Sequence, residues 1–350
     1  MTRLPALLWT NARALGLGAL GAALAYLAAL PAALLIGPAL VVSLAGLAGA
    51  RLSVSPRLMQ ICLVVLGLGV GSGFSAEAGR AVLHWPLAFA VLGLALVAIL
   101  WSGQQVLMRL FHFDPVSASL ASAPGHLSFV LASAADTGSD VARIAVAQTL
   151  RVLVLTLSVP FVALALGVRM APGVLPQGVP MPPLQLIVLA LVGVALGVLF
   201  RRLKFPAPLL LGPMVASAGG HVTGLSTGSL PLWLSMPAFL VMGTVIGTRF
   251  SGVSLALLRS ALMAGLAVTA ISVAVMTLAA FPVALALAMP TAHVLTGFAP
   301  GGLETMIALG AAMGANPGFI TACHVLRLLI LSALIPLTLR RARRAAQPAR

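Results

Sequence analysis

The sequence predicts an all-α polytopic membrane protein: two inverted repeats, each with five transmembrane helices and one broken re-entrant hairpin. Three observations carry this expectation. Of 350 residues, 61% are apolar and 7% charged, whereas a soluble domain carries about 25% charged residues and needs them to cover its surface. The apolar runs are long, unbroken and rich in Leu, Ala, Val and Gly, unlike the short alternating segments of a membrane β-barrel. The second half of the chain repeats landmarks of the first. A soluble enzyme, a disordered chain and a disulfide scaffold are thereby excluded.

The duplication is read from ordered Gly, Pro, Phe and Arg residues, which do not recur by chance as leucines do. Pro124-Gly125-His126-Leu127 returns as Pro300-Gly301-Gly302-Leu303, an offset of 176. The same offset joins Gly67 to Gly243, Gly71 to Gly247, Phe74 to Phe250, Ser75 to Ser251, Gly138 to Gly314, Arg151 to Arg327 and Pro160 to Pro336. Earlier, PAALLIGP (31–38) matches PAPLLLGP (206–213) at an offset of 175, so one residue slips in the connection after Pro38. The repeats span 1–168 and 184–339, followed by a basic tail over 340–350. Residues 1–30 resemble a signal peptide, but 184–200 occupy the same place in the second half. The first segment is therefore expected to be a retained helix.

Taken in order, the helices of the first half are expected at about 12–30, 32–50, 58–75, 84–108 and 141–167. Those of the second are expected near 184–200, 206–221, 231–249, 254–281 and 316–339. These lengths suit a hydrocarbon core about 30 Å thick. The remaining segments, 114–140 and 290–315, are interrupted by Ala-Pro-Gly at 123–125 and 299–301. Such a break frees backbone groups that lipid cannot satisfy, so it must lie inside the bundle or line a wet cavity.

The basic residues decide whether the broken segments cross or turn back. With both re-entrant and the N-terminus inside, only Arg80 and Arg169 of the 20 Lys and Arg lie outside. Arg151 and Arg327 lie within the membrane, and the other sixteen are cytoplasmic. With both crossing, the split falls to 11 against 7. The positive-inside rule favours re-entrant hairpins, with both termini cytoplasmic. Five crossings per half then invert the second half relative to the first, the architecture of secondary transporters. The net charge of +15 thus reads as topology, and the tail as an anchor beside anionic lipid rather than a nucleic-acid reader.

The stretch APGGLETMIALGAAMGANPGFITACHVLRLLIL (299–331) resembles the signature of the AbrB-type bacterial membrane proteins, which contain a duplicated domain of this kind. The resemblance covers nearly the whole chain. It implies a multi-pass protein of the bacterial inner membrane, and it brings two family labels, ammonia monooxygenase and regulator of gene expression. The first half departs from the pattern: His126 stands in the place of Gly302 and Ser128 in that of Glu304.

The candidate site is built from paired positions. Arg151 and Arg327 each lie about ten residues into a helix, hence about 15 Å deep, where an unpaired charge is costly. They are read either as ion-paired structural residues, Arg327 with Glu304, or as anion clamps. The hairpin tips, Gly125 and His126 in one half and Gly301 and Gly302 in the other, should reach the same depth. After each break a new helix starts with free N–H groups and a positive dipole end. Gln148 and His324 each precede an arginine by three residues and share its helix face. Glu304 sits in a first helical turn, either stabilised there by the dipole or carrying a coupling proton. Asp136 and Asp140 flank Gly138, and Asp140, matched by Asn316, is expected to cap a helix. Cys62 and Cys323 read as core residues. No His or Cys spacing suggests a metal or another cofactor, which sets the oxygenase label aside.

The function expected is a secondary transporter or exporter of a small anionic metabolite bound at the midplane, not an enzyme. The alternative is a membrane-embedded regulator of gene expression. The partners expected are a small-molecule substrate and the lipid bilayer, with no direct nucleic-acid contact and homodimerisation left open.

Overall fold

A computed structural model describes residues 3–74, 85–125, 127–168 and 178–346. The expected outside positions Arg80 and Arg169, the repeat partner Ser75 and the tip residue His126 lie outside the described residues. Among the described residues there are fourteen α-helices and no strand; one isolated bridge joins Pro180 and Ser229. The first half contributes α1 (Arg3–Leu27), α2 (Ala33–Leu47), α3 (Pro56–Gly71), α4 (Pro86–Phe111), α5 (Pro115–Ser122), α6 (Leu127–Asp136) and α7 (Val141–Ala165). The second contributes α8 (Pro183–Arg202), α9 (Pro208–Val222), α10 (Leu232–Thr248), α11 (Leu255–Ala286), α12 (Thr291–Phe298), α13 (Leu303–Ala312) and α14 (Pro317–Ala346).

Most boundaries fall within a few residues of the expectation because Pro, Ser and Asp punctuate them. Ser55 and Ser254 accept hydrogen bonds from the N–H groups of Leu58 and Leu257 and so start α3 and α11. The first helix begins at Arg3 rather than near residue 12, because Pro5 lies in the first turn, where its missing N–H costs nothing. Helix α14 runs past 339 to Ala346.

Among the described residues five helices are long and apolar enough to cross a membrane: α4, α7, α8, α11 and α14. Several present large apolar side chains outward, including Leu94, Trp101, Leu191 and Leu278. Helices α2, α3 and α10 are apolar but only 15–17 residues long, about 23–26 Å at 1.5 Å per residue.

The backbone repeats its irregularities at the offsets found in the sequence. Among the described residues, non-glycine residues with a left-handed φ fall into three pairs: Ala29 with Lys204, Ala32 with Ala207, and His112 with Ala288. Single left-handed residues that carry a Cβ are strained, and these recur at the same offsets of 175 and 176 as the sequence landmarks.

The chain forms two compact units, each drawing on both halves: Met1–Leu83, Thr156–Gly252 and Leu303–Thr321 in the first, His84–Leu155, Val253–Gly302 and Ala322–Arg350 in the second. Within the first unit the halves interlock reciprocally. Helix α3 packs on α9, and α10 packs on α2. A Cβ at Gly67 would collide with the Leu210 carbonyl oxygen, and one at Gly243 with that of Leu35. Gly67/Gly71, Gly243/Gly247 and Gly193/Gly197 are each spaced four apart, which puts both glycines on one face and lets backbones approach closely. Within the second unit α4 packs on α11, α5 on α4 and α12 on α11.

Candidate functional site

The site lies within the second unit and starts from two eight-residue half-helices. Asp114 opens α5 by accepting from the N–H groups of Val116 and Ser117 at 3.0 and 2.9 Å. Helix α5 ends at Ala123 (ψ 118°) and α12 at Ala299 (ψ 129°), because the following Pro124 and Pro300 force extended backbone. Gly125 then takes φ +130°, a conformation that side chains rarely adopt. The last carbonyls of both half-helices lose their helical partners, and Ala123, Pro124, Ala299, Pro300 and Gly301 are buried, where water cannot replace them.

Helices α7 and α14 bring side chains to those carbonyls. Gln148 Nε2 donates to Ala123 O at 2.9 Å and to Leu120 O at 3.1 Å. Arg151 Nη1 donates to Ala123 O at 3.0 Å, Nε to Pro300 O at 3.1 Å, and Nη2 to Gln148 Oε1. In the other hairpin His324 Nε2 donates to Thr296 O at 3.1 Å, while Arg327 Nη1 and Nη2 donate to the Ala299 and Gly301 carbonyls at 2.6 and 2.8 Å. Arg151 to Ala123, Arg327 to Ala299, Gln148 to Leu120 and His324 to Thr296 form two pairs of contacts related by the 176 offset. A cation at a helix C-terminus is favourable because the carbonyl dipoles point at it, so each arginine caps a broken helix.

The guanidinium groups are buried, Arg151 3% and Arg327 1% exposed. Each lies ten residues into its helix, about 15 Å along the axis. Among the described residues all their hydrogen bonds go to backbone carbonyls and Gln148, none to a carboxylate. The acids of this unit, Asp114, Asp136 and Asp140, are exposed. Asp140 accepts from the N–H of Arg143 at 3.0 Å and caps α7, and Asn316 accepts from Phe319 N–H at 3.2 Å in the same role on α14. Among the described residues the buried charged side chains of this unit are therefore both cations, Arg151 and Arg327.

The structure brings Arg151, Gln148, Arg327, His324, Gly301 and Gly125 to the two breaks; a Cβ on Gly125 would stand 3.4 Å from Arg327 Nε. Gly302 is half-buried at the second tip, and Glu304 is half-buried in the first turn of α13, which belongs to the first unit. Sequence reasoning missed the acceptors, the carbonyls of Ala123, Ala299, Pro300 and Gly301. The available signal was the coincidence that Gln148 and His324 occupy equivalent places three residues before equivalent arginines. Both cysteines are buried and unpaired.

Among the described residues an all-helical fold with five membrane-length apolar helices, and guanidinium groups buried at two helix breaks of the second unit, define a helical membrane protein. The chain belongs to the AbrB family: the family model described as "Transition state regulatory protein AbrB" matches residues 7–343. It is 27% identical over 311 residues to the "Putative regulator AbrB" of Escherichia coli (strain K12), covering 85% of this chain and 86% of that one. It is 25% identical over 300 residues to the "Uncharacterized protein YhjN" of Bacillus subtilis (strain 168), covering 81% and 78%. No solved structure matches it.

Proposed function

We propose that the protein is a secondary transporter or exporter of a small anionic metabolite, bound where the two hairpins break. The observation that carries this reading is the pair of buried guanidinium groups with no carboxylate bonded to either among the described residues. Carbonyl dipoles offset only part of the cost of burying two cations, and a bound anion offsets the rest. The N-terminus of α6 follows the first break within the same unit and adds a positive dipole end. In this reading the two halves are inverted repeats, with both termini on the cytoplasmic face of the bacterial inner membrane. The paired turns and reciprocal glycine contacts support a twofold relation, and the basic residues support its inversion.

Reconstitution into proteoliposomes with a panel of small carboxylates and phosphate tests the reading. Flux of at least one anion is expected, and Arg327→Lys should weaken it while the protein still inserts, since lysine keeps the charge but loses the planar fork. Absence of flux across the panel counts against transport. If Arg327 serves only as a partner of Glu304, the double change Arg327→Gln with Glu304→Gln restores activity; no rescue is expected, because Arg327 is held by carbonyls. The name of the E. coli relative favours a second reading, a membrane-embedded regulator. A regulatory phenotype that survives in a transport-dead Arg327 variant would support it.

A further inference from the structure

The two arginines are equivalent in sequence but not in bonding. Arg151 uses all three of its nitrogens, and its partners belong to both hairpins, Ala123 O on one and Pro300 O on the other. Arg327 uses only Nη1 and Nη2, both on its own hairpin. Its Nε has no hydrogen-bond partner among the described residues although it is buried. Gly125, whose φ of +130° turns the first hairpin tip, lies against this Nε: a Cβ there would stand 3.4 Å away.

The companions differ in the same way. Gln148 offers Arg151 a carbonyl oxygen, which closes the first site. His324 has no such group. Its Nε2 faces the Thr296 carbonyl, which can only accept, so Nε2 carries a proton and a neutral ring leaves Nδ1 as a bare acceptor. Nδ1 is also buried, on a residue 0% exposed, and lacks a partner among the described residues. His324 and Arg327 lie one turn apart on one face of α14.

We propose that the two arginines have separate roles. Arg151 ties the two hairpin tips together, while Arg327 Nε and His324 Nδ1 form the ligand-facing pair, which binds a small oxyanion together with one proton. This rests on the anion-transport reading above. An anion accepting from Arg327 Nε–H is repelled by the lone pair of a neutral Nδ1 and attracted by Nδ1–H. Anion binding therefore favours uptake of one proton at Nδ1: an O–H bond of aqueous hydronium breaks, the Nδ1–H bond forms on the ring's lone pair, and water is left. In this unit α14 carries Cys323 and Arg327 beside His324, α12 carries His293, and α7 carries Arg143 and Arg151; the acids Asp114, Asp136 and Asp140 are exposed and capping or at hairpin ends. No carboxylate among the described residues of this unit competes for the role.

The test uses full-length protein in proteoliposomes loaded with a pH-sensitive dye. Acetate, lactate, citrate and inorganic phosphate serve as probes. Wild-type protein is expected to move at least one probe faster as the pH falls, with one proton entering per anion. His324→Gln introduces the side chain that the first half uses at the equivalent position, and it keeps the donor to Thr296 O. In that variant flux should fall, and the remaining flux should no longer rise on acidification or carry a dye signal. Wild-type anion flux without proton entry, or an undiminished proton signal in His324→Gln, overturns the inference and leaves anion transport standing. No flux of any probe overturns both.

Discussion

Replacing Arg151 tests the assignment of this residue as the tie between the hairpins. Arg151→Met withdraws donors from Pro300 O, Ala123 O and Gln148 Oε1. Ala123 O keeps Gln148 Nε2 at 2.9 Å, so two buried acceptors lose the donor that Arg151 supplied. Each unsatisfied buried acceptor costs about 1–3 kcal/mol, hence roughly 2–6 kcal/mol before the relief of no longer burying a cation. A net loss near the lower end, about 2 kcal/mol, would lower the thermal midpoint in detergent by roughly 4–8 °C, at about 2–4 °C per kcal/mol for a unit of this size. Lysine discriminates further. A single ammonium at 151 cannot reach acceptors on two hairpins and Gln148 together, so Arg151→Lys should recover little. At 327 the two acceptors, Ala299 O and Gly301 O, lie on one tip, and Arg327→Lys should stay within about 1 kcal/mol of wild type. Thermal melting followed by size-exclusion chromatography reads both. An Arg151→Lys protein as stable as wild type, or less damaged than Arg327→Lys, would refute the argument.

Three further outcomes are expected. Gly67→Val and Gly243→Val should each destabilise by about 1–3 kcal/mol or more through overpacking, because both face a backbone carbonyl of the other half, whereas Gly16→Ala, with open space around its Cβ position, should be neutral or stabilising; melting of purified variants compares them. Asp140→Ala and Asn316→Ala should each cost about 1 kcal/mol, with hydrogen exchange rising in the first turns of α7 and α14; unchanged protection there would remove the capping role. A single cysteine at 203, beside the exposed Arg201, Arg202 and Lys204, should label only from the cytoplasmic side, and external labelling would reverse the orientation.

Local chemistry made much of this molecule legible without coordinates. Proline, glycine and capping side chains act on their own neighbours, so the helix boundaries, the Ala-Pro-Gly breaks, and the caps Asp140 and Asn316 could be read from residue order. The offsets of 175 and 176 could be read for the same reason, since each copy carries its own punctuation. The place of Arg151 and Arg327 ten residues into their helices could also be counted from the sequence, about 15 Å along each axis at 1.5 Å per residue. What only the tertiary structure decided is who meets whom. Charge counting offered Glu304 as the partner of Arg327, yet the guanidinium binds the Ala299 and Gly301 carbonyls, because backbone acceptors freed by a helix break are invisible in side-chain composition. The four-residue spacing of Gly67 and Gly71 could announce a close contact, but not that Leu210 and Met214 of the other half supply it. Two arginines identical by offset became unlike only in space, where one carbonyl, that of Pro300, reaches Arg151 Nε while Arg327 Nε faces Gly125. Spacing along a helix determines which face a side chain shares; packing determines what stands opposite it.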